Sequence, residues 1–324
     1  MNALTVVLAG GTGFLGTALA THLHEAGYDI AILSRSKPRH PLPFPVRYLQ
    51  WDGIHPGEWM EALEGSRALV NLAGRTVNCR YTAKNREAIL RSRLQSTRAL
   101  GLALQQLSAP PPVWLNSSSA TVYADTRGEQ LANDEYSPHI GHDFSMEVCQ
   151  SWEECFQAHY LPKTRKVILR TAITLGEGSA LKPLIGLAKA GLGGPQGPGN
   201  QWVSWIHITD FVRAIEFLIE TEDAYGIFNL AAPQPVPNTE FMESLREQVG
   251  VNWGVPLSRS MLEIGARLIG TETELILKSR KVISERLPTA GFAFRFPTLA
   301  AALEDILGEQ AQDSAAFSNQ VQPV

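Results

Sequence analysis

Three evenly spaced glycines constrain this chain more than anything else in it. Leu4 to Gly16 reads LTVVLAGGTGFLG, an apolar run that ends in Gly10, Gly13 and Gly16 before helical periodicity begins. Strand, tight turn and helix in that order form the first unit of a nucleotide-binding parallel sheet. Each glycine has a separate task. Gly10 lets the chain turn sharply off the strand, Gly13 lets backbone amides approach a pyrophosphate, and Gly16 lets the helix press against the sheet. The helix's free N–H groups and positive dipole end, with Thr12, Phe14 and Leu15 around them, then face the phosphates. Packing a helix on a sheet would explain the strand and helix, but not three spaced glycines.

The next strand, Tyr28 to Leu33, ends in Ser34-Arg35-Ser36, with Lys37 and Arg39 close behind. Folds that prefer NAD place an acid here to accept from the ribose hydroxyls, and that acid would repel a 2′-phosphate. A planar guanidinium flanked by hydroxyls suits a phosphate dianion instead. The expected cofactor is therefore NADP(H), with Ser34 and Arg35 as its readers; a solvated basic loop is the plainer alternative. Asp52, after a third strand Val46 to Trp51, could touch adenine or start a turn.

At 324 residues, 44% hydrophobic and 19% charged, the chain suits a globular enzyme with a core domain and a smaller lobe. A net charge of −4 makes no electrostatic case for nucleic acid or an anionic membrane. Cys79, Cys149 and Cys155 show no CxxC spacing, so no disulfide framework or zinc site is expected, and reduced thiols suit the cytoplasm. No stretch approaches the roughly eighteen apolar residues of a membrane span, and no signal peptide is expected.

Strands and helices alternate onward. A buried strand, Ala68 to Gly74, brings Leu72, Ala73 and Gly74 past the cofactor's ribose. A long helix without an evident cap, Ala83 to Leu107, carries Arg93, whose reach periodicity leaves open. A fifth strand opens at Val113 and runs into Asn116-Ser117-Ser118-Ser119-Ala120-Thr121-Val122-Tyr123, where parallel sheets bind ligands. A helix Phe144 to His159, a strand Lys166 to Ile173, a strand Trp202 to His207, a helix begun by Thr209 as N-cap and a strand Gly226 to Ala231 follow. The GLGGPQGPG run, 191–199, reads as a flexible lid or linker. Helices are expected at Asn238 to Val249, Ser260 to Ile269 and Leu275 to Leu287, a short strand at Gly291 to Pro297, and a frayed tail from Gly308. His207 could be an acid or base, or a strand-end histidine satisfied by backbone. The architecture expected is α/β, a Rossmann-type doubly wound parallel sheet with a smaller C-terminal substrate lobe. Residues 1–173 and 206–231 would form the NADP-binding domain and 174–205 with 232–307 the lobe.

At this point the chain resembles an extended or atypical short-chain dehydrogenase/reductase, specifically the sugar-nucleotide epimerase-like proteins of the epimerase family. AGGTGFLG, LSRS, NLAG, SRLQSTRAL, NSSSATVYAD, VCQSWEE, LRTAITLG, GLGGPQGPGNQWVSWIHITD, NLAAPQPVPNTEF and AGFAFRFPTLAAAL carry the resemblance, nearly to Leu307. It implies cofactor contacts at Gly10, Gly13, Gly16, Ser34, Arg35, Leu72, Ala73 and Arg93, a catalytic serine at Ser119, and pairing of two copies through a four-helix face.

Two departures stand out. Sugar-nucleotide epimerases pair Tyr-x-x-x-Lys so that the lysine lowers the phenol's pKa. Here Tyr123, Tyr136 and Tyr160 are followed four residues on by Arg127, Ile140 and Thr164, and the expected helix offers Phe144 to Gln150 instead. Arg75 also stands where relatives more often carry a glutamate. Two readings remain open. One is an NADP(H)-dependent oxidoreductase or epimerase for a small hydroxy or keto substrate, a sugar nucleotide among them. Ser119 would then orient the oxygen, and Tyr123, water or His207 would supply the proton. The other is a non-catalytic NADP(H)-binding sensor or scaffold.

Overall fold

The computed structural model describes residues 4–179 and 181–308. Strand β1 (Thr5–Ala9) is buried throughout, and its alternation splits two cores. Val6 and Leu8 face one side with Leu19, Leu23, Phe211 and Ile215, while Val7 and Ala9 face the other with Leu100, Leu104, Trp114 and Phe156. Helices α1 (Phe14–Glu25) and α5 (Ile208–Glu220) cover the first face; α2 (Ala83–Gln106) and α3 (Phe144–Gln157) cover the second.

Around β1 lie β2 (Asp29–Ser34), β3 (Val46–Gln50), β4 (Ala68–Asn71), β5 (Val113–Ser119), β6 (Arg165–Thr171) and β10 (Gly226–Leu230). The order is β10-β6-β5-β4-β1-β2-β3, with every pairing parallel. The chain runs outward from β1 to β3, then returns to β4 on the other side of β1. Strand direction of travel thus reverses between β1 and β4, and the crevice beyond their C-terminal ends is where such sheets take ligands. The glycine turn, Leu72 to Gly74 and Ser119 all emerge at that edge.

A third apolar cluster sits beyond the sheet. It joins Leu175 of β7 (Ile173–Leu175), Leu181 and Ile185 of α4 (Leu181–Lys189) and Trp205 of β9 (Trp205–His207). Phe241 and Met242 of α6 (Asn238–Gln248) and Leu299 and Leu303 of the last helix, 299–308, complete it.

Several expectations are corrected. The helix expected from Leu275 to Leu287 is only α8 (Glu274–Leu277) and, later, α9 (Arg286–Thr289). Between them Arg280 N–H donates to Trp202 O at 2.8 Å and Ile283 N–H to Asn133 O at 2.9 Å, so cross-chain partners displace the helical ladder. No strand forms at 291–297, because Arg295 and Phe296 N–H both donate to the buried Asp210 carboxylate at 2.8 Å. The glycine-rich run is no loose lid. Gln196 is buried, its N–H donates to Asn238 Oδ1 at 2.7 Å, and Gly197 N–H donates to Leu257 O at 2.8 Å. Helix α2 has a cap, Thr82, which accepts from Asn85 N–H; α5 is capped by His207 rather than Thr209. The strand expected from Trp202 to His207 is two pieces, β8 (Trp202–Val203) and β9. The frayed tail lies, beyond Gly308, outside the described residues. Among those described, no helix is long and apolar enough to cross a membrane.

Candidate functional site

The turn after β1 shows why each glycine is there. Gly10 has φ +78°, and a Cβ on it would come within 2.8 Å of Ala73 Cα, where the β4 loop crosses. A Cβ on Gly16 would lie 2.5 Å from Gly11 Cα, so this glycine packs the helix onto the turn itself rather than onto the sheet. Gly13 meets nothing within 4 Å and is the N-cap of α1, with no side-chain cap and no acid in the first turn. Thr12 and Gly13 are exposed and Phe14 and Leu15 half-buried, leaving the helix's positive end open.

One strand over, Ser34 Oγ donates to Ser36 O at 2.8 Å and tightens the turn that presents Arg35. Arg35 is exposed and has no ion-pair or hydrogen-bond partner among the described residues. Asp52 makes a turn: its carboxylate accepts from Ile54 and His55 N–H at 2.8 and 2.9 Å, bonds that hold its pKa down at about 2.

The β4 end is fixed by a buried polar knot that sequence patterning did not reveal. Asn71 Nδ2 donates to Asn116 Oδ1 at 2.7 Å and to Thr97 Oγ1 at 3.2 Å, and Trp152 Nε1 also donates to Thr97 at 2.8 Å. Asn71 Oδ1 in turn accepts from Ala73 N–H at 3.0 Å, which aims the Leu72-Ala73-Gly74 backbone. Arg93 reaches this loop from α2. Its guanidinium donates to Arg75 O at 3.0 Å and lies over the Trp152 ring, and burial lowers its pKa.

Ser119 ends β5, half-buried. Its hydroxyl donates to Thr121 Oγ1 at 3.0 Å and accepts from Thr121 N–H at 3.2 Å. Beneath it, Ser118 donates to Glu153 at 2.5 Å, and Arg170 grips the same carboxylate with two bonds at 2.9 and 2.7 Å. This buried pair anchors the serine strand to α3.

Helix α3 carries neither a tyrosine nor a lysine, and Cys149 is buried on it. Burial pushes the Cys149 thiol up to about 12, so it is a neutral, inert group. Tyr123 is fully buried in the core; its phenol donates to Asn229 Oδ1 at 2.9 Å and Arg170 covers its ring. Burial raises its pKa further, and this geometry lends no support to the expected proton donor. His207 is equally buried. Its Nδ1 accepts from Thr209 N–H at 3.1 Å, its ring lies tilted against Phe296 with centroids 4.0 Å apart, and burial lowers its pKa despite Asp305 nearby. It is a structural cap.

A model of the NAD dependent epimerase/dehydratase family matches residues 6–231, and a domain of unknown function, DUF1731, matches 259–306. The human epimerase family protein SDR39U1 is 30% identical over 94% of this chain and 100% of its own length. The chloroplastic Arabidopsis thaliana homolog is 31% identical over 94% of this chain and 87% of its own. The crystal structure of human SDR39U1 isoform 2 with NADPH superposes with a TM-score of 0.81, covering 94% of this chain and 99% of that one. With a match over most of its length, and relatives spanned almost end to end, this chain belongs to the NAD dependent epimerase/dehydratase family.

Proposed function

We propose that this chain binds NADP(H) at the turn after β1 and uses it for hydride transfer with a small hydroxy or keto compound lying against Ser119. One observation carries this reading. An open, uncapped helix end at Gly13 stands beside an unpartnered Arg35 at the end of the next strand. The pyrophosphate needs N–H donors and the room a Cβ would fill; the 2′-phosphate needs a planar cation. The NADPH held by the human relative supports the choice of cofactor.

When bound, the cofactor supplies or takes the hydride. The chain's own residues do the rest. Arg93 and Asn71 hold the Leu72 to Gly74 backbone along the ribose side, and the Glu153–Arg170 pair steadies the end of β5. Ser119 turns its hydroxyl from Thr121 to the substrate oxygen. A second reading has its own support. Tyr123 and His207 are engaged in the core and Cys149 is a neutral thiol, the state expected of a non-catalytic NADP(H) sensor or scaffold.

Absorbance in the nicotinamide band separates the two. NADPH oxidised by members of a carbonyl panel, with turnover lost in Ser119→Ala, supports the enzyme. Tight binding without any turnover supports the sensor.

A further inference from the structure

Residues 274–280 form a strap tied at four places to two segments that follow Ser119 in the chain, the 125–126 loop and the head of α3 at 143–145. Glu274 accepts from Ser145, Lys278 pairs with Asp143 at the head of α3, and Ser279 exchanges bonds with Thr126. Arg280 Nη1 donates to Asp125 at 2.5 Å, in the loop that follows the short turn begun by Ser119. The Arg280 side chain is only 11% exposed. Yet its Nε and Nη2, the two donors along one edge of the guanidinium, have no hydrogen-bond partner among the described residues.

Burying a charged donor without an acceptor forfeits its hydration for nothing in return, so such an edge calls for a ligand group. Two parallel N–H bonds match the paired oxygens of a carboxylate or phosphoryl group. The wall behind Arg280 has the same character. Trp202 O accepts from Arg280 N–H at 2.8 Å, and Gln201 Nε2 donates to Gln196 O and Ile276 O. Gln201 Oε1 and Gln196 Nε2 lack partners. Four of the eight unpartnered buried polar atoms among the described residues thus sit on this wall. The nearby carboxylates do not reach this edge: Asp125 is divided between Arg280 Nη1 and Arg127, and Asp143 pairs with Lys278.

We propose that the Nε/Nη2 edge of Arg280 seats an oxyanion, carboxylate or phosphoryl, on the molecule that occupies this cleft. The proposal rests on the reading that the cleft takes the substrate, and narrows that substrate to an acidic hydroxy or keto compound.

The test titrates inorganic phosphate, and separately acetate, into the full chain by calorimetry, with saturating NADPH to fill the seat at Arg35 and again without it. One anion per chain is expected, the tighter of the two naming the group. Arg280→Lys keeps a cation opposite Asp125 but loses the two-donor edge. It should weaken anion binding by about tenfold or more, with the melting temperature unchanged. No binding by the unmodified chain, or equal binding by Arg280→Lys, overturns the proposal. Binding that depends on Arg280 while no carbonyl compound oxidises NADPH defeats the hydride-transfer reading alone and leaves the seat standing. Where turnover is found, a 2-oxo acid should outpace its methyl ester, and Arg280→Lys should erase the difference.

Discussion

Arg35 and Tyr123 show how differently two side chains named from sequence can be placed. Arg35 ends in solvent with nothing to hold, so removing it leaves the fold alone. Arg35→Ala should weaken NADPH binding about 10- to 100-fold and NADH binding less than about twofold, measured by fluorescence titration. Equal losses would show that Arg35 reads no 2′-phosphate. Tyr123, by contrast, joins a buried chain from Glu153 through Arg170 to Asn229. Tyr123→Phe should cost about 1 kcal/mol of stability in a denaturant melt and leave any turnover intact, because the phenol serves packing. A collapse of kcat in that variant would return Tyr123 to the chemistry.

The first turn of α1 separates folding from binding within a few residues. Gly13 has an ordinary φ of −92° and open space where a Cβ would go. Gly13→Ala should therefore shift stability by less than about 1 kcal/mol while strongly weakening NADPH binding. Gly16→Ala drives a methyl into the backbone of Gly11 at 2.5 Å, and should destabilise by about 1–3 kcal/mol or more. Thermal melts beside NADPH titrations distinguish the pair; equal melting temperatures would contradict the packing described. Helix α5 likewise ties down the non-helical segment that precedes the last helix. Asp210, fully buried, accepts from Arg295 N–H, Phe296 N–H and Arg213. Asp210→Ala leaves the buried Phe296 N–H, the Arg295 N–H and Arg213 without their acceptor and should cost about 3–5 kcal/mol.

Across the whole molecule, two histidines, the buried His207 and the half-buried His159, set an acid limit. His207 has its pKa lowered by burial against Asp305 and Asp210, and His159 by burial together with Lys166 and Arg98. An unfolded chain takes up these protons near about pH 6.5, the folded chain only at lower pH. Stability is therefore fully present above about pH 6.5, falls as pH drops through that value, and levels off below the folded pKa. His207→Asn keeps an acceptor for Thr209 N–H but no titrating group, so its melting temperature should depend less on pH over about pH 5 to 7. An unchanged slope would mean that His207 takes up its proton at the same pH folded and unfolded.

Much of this was legible in a linear reading because it depends on neighbours in sequence. The glycine turn, the apolar run that becomes β1, the strand-end positions of Arg35 and Ser119, and α6 and α7 (Arg259–Ile269) all follow from local period and backbone freedom. What the tertiary structure decided involves partners far apart in the chain. The helical pattern after Leu275 gives way because Trp202, Ser204 and Asn133 capture its backbone groups, and the aromatic run before Pro297 is folded onto Asp210. The interior location of Tyr123, the knot that aims Gly74 and the bare edge of Arg280 likewise exist only once the sheet has assembled. Periodicity records which face of an element is apolar; it holds no record of which distant carbonyl or carboxylate will meet a given donor, and at this cleft those meetings set the chemistry.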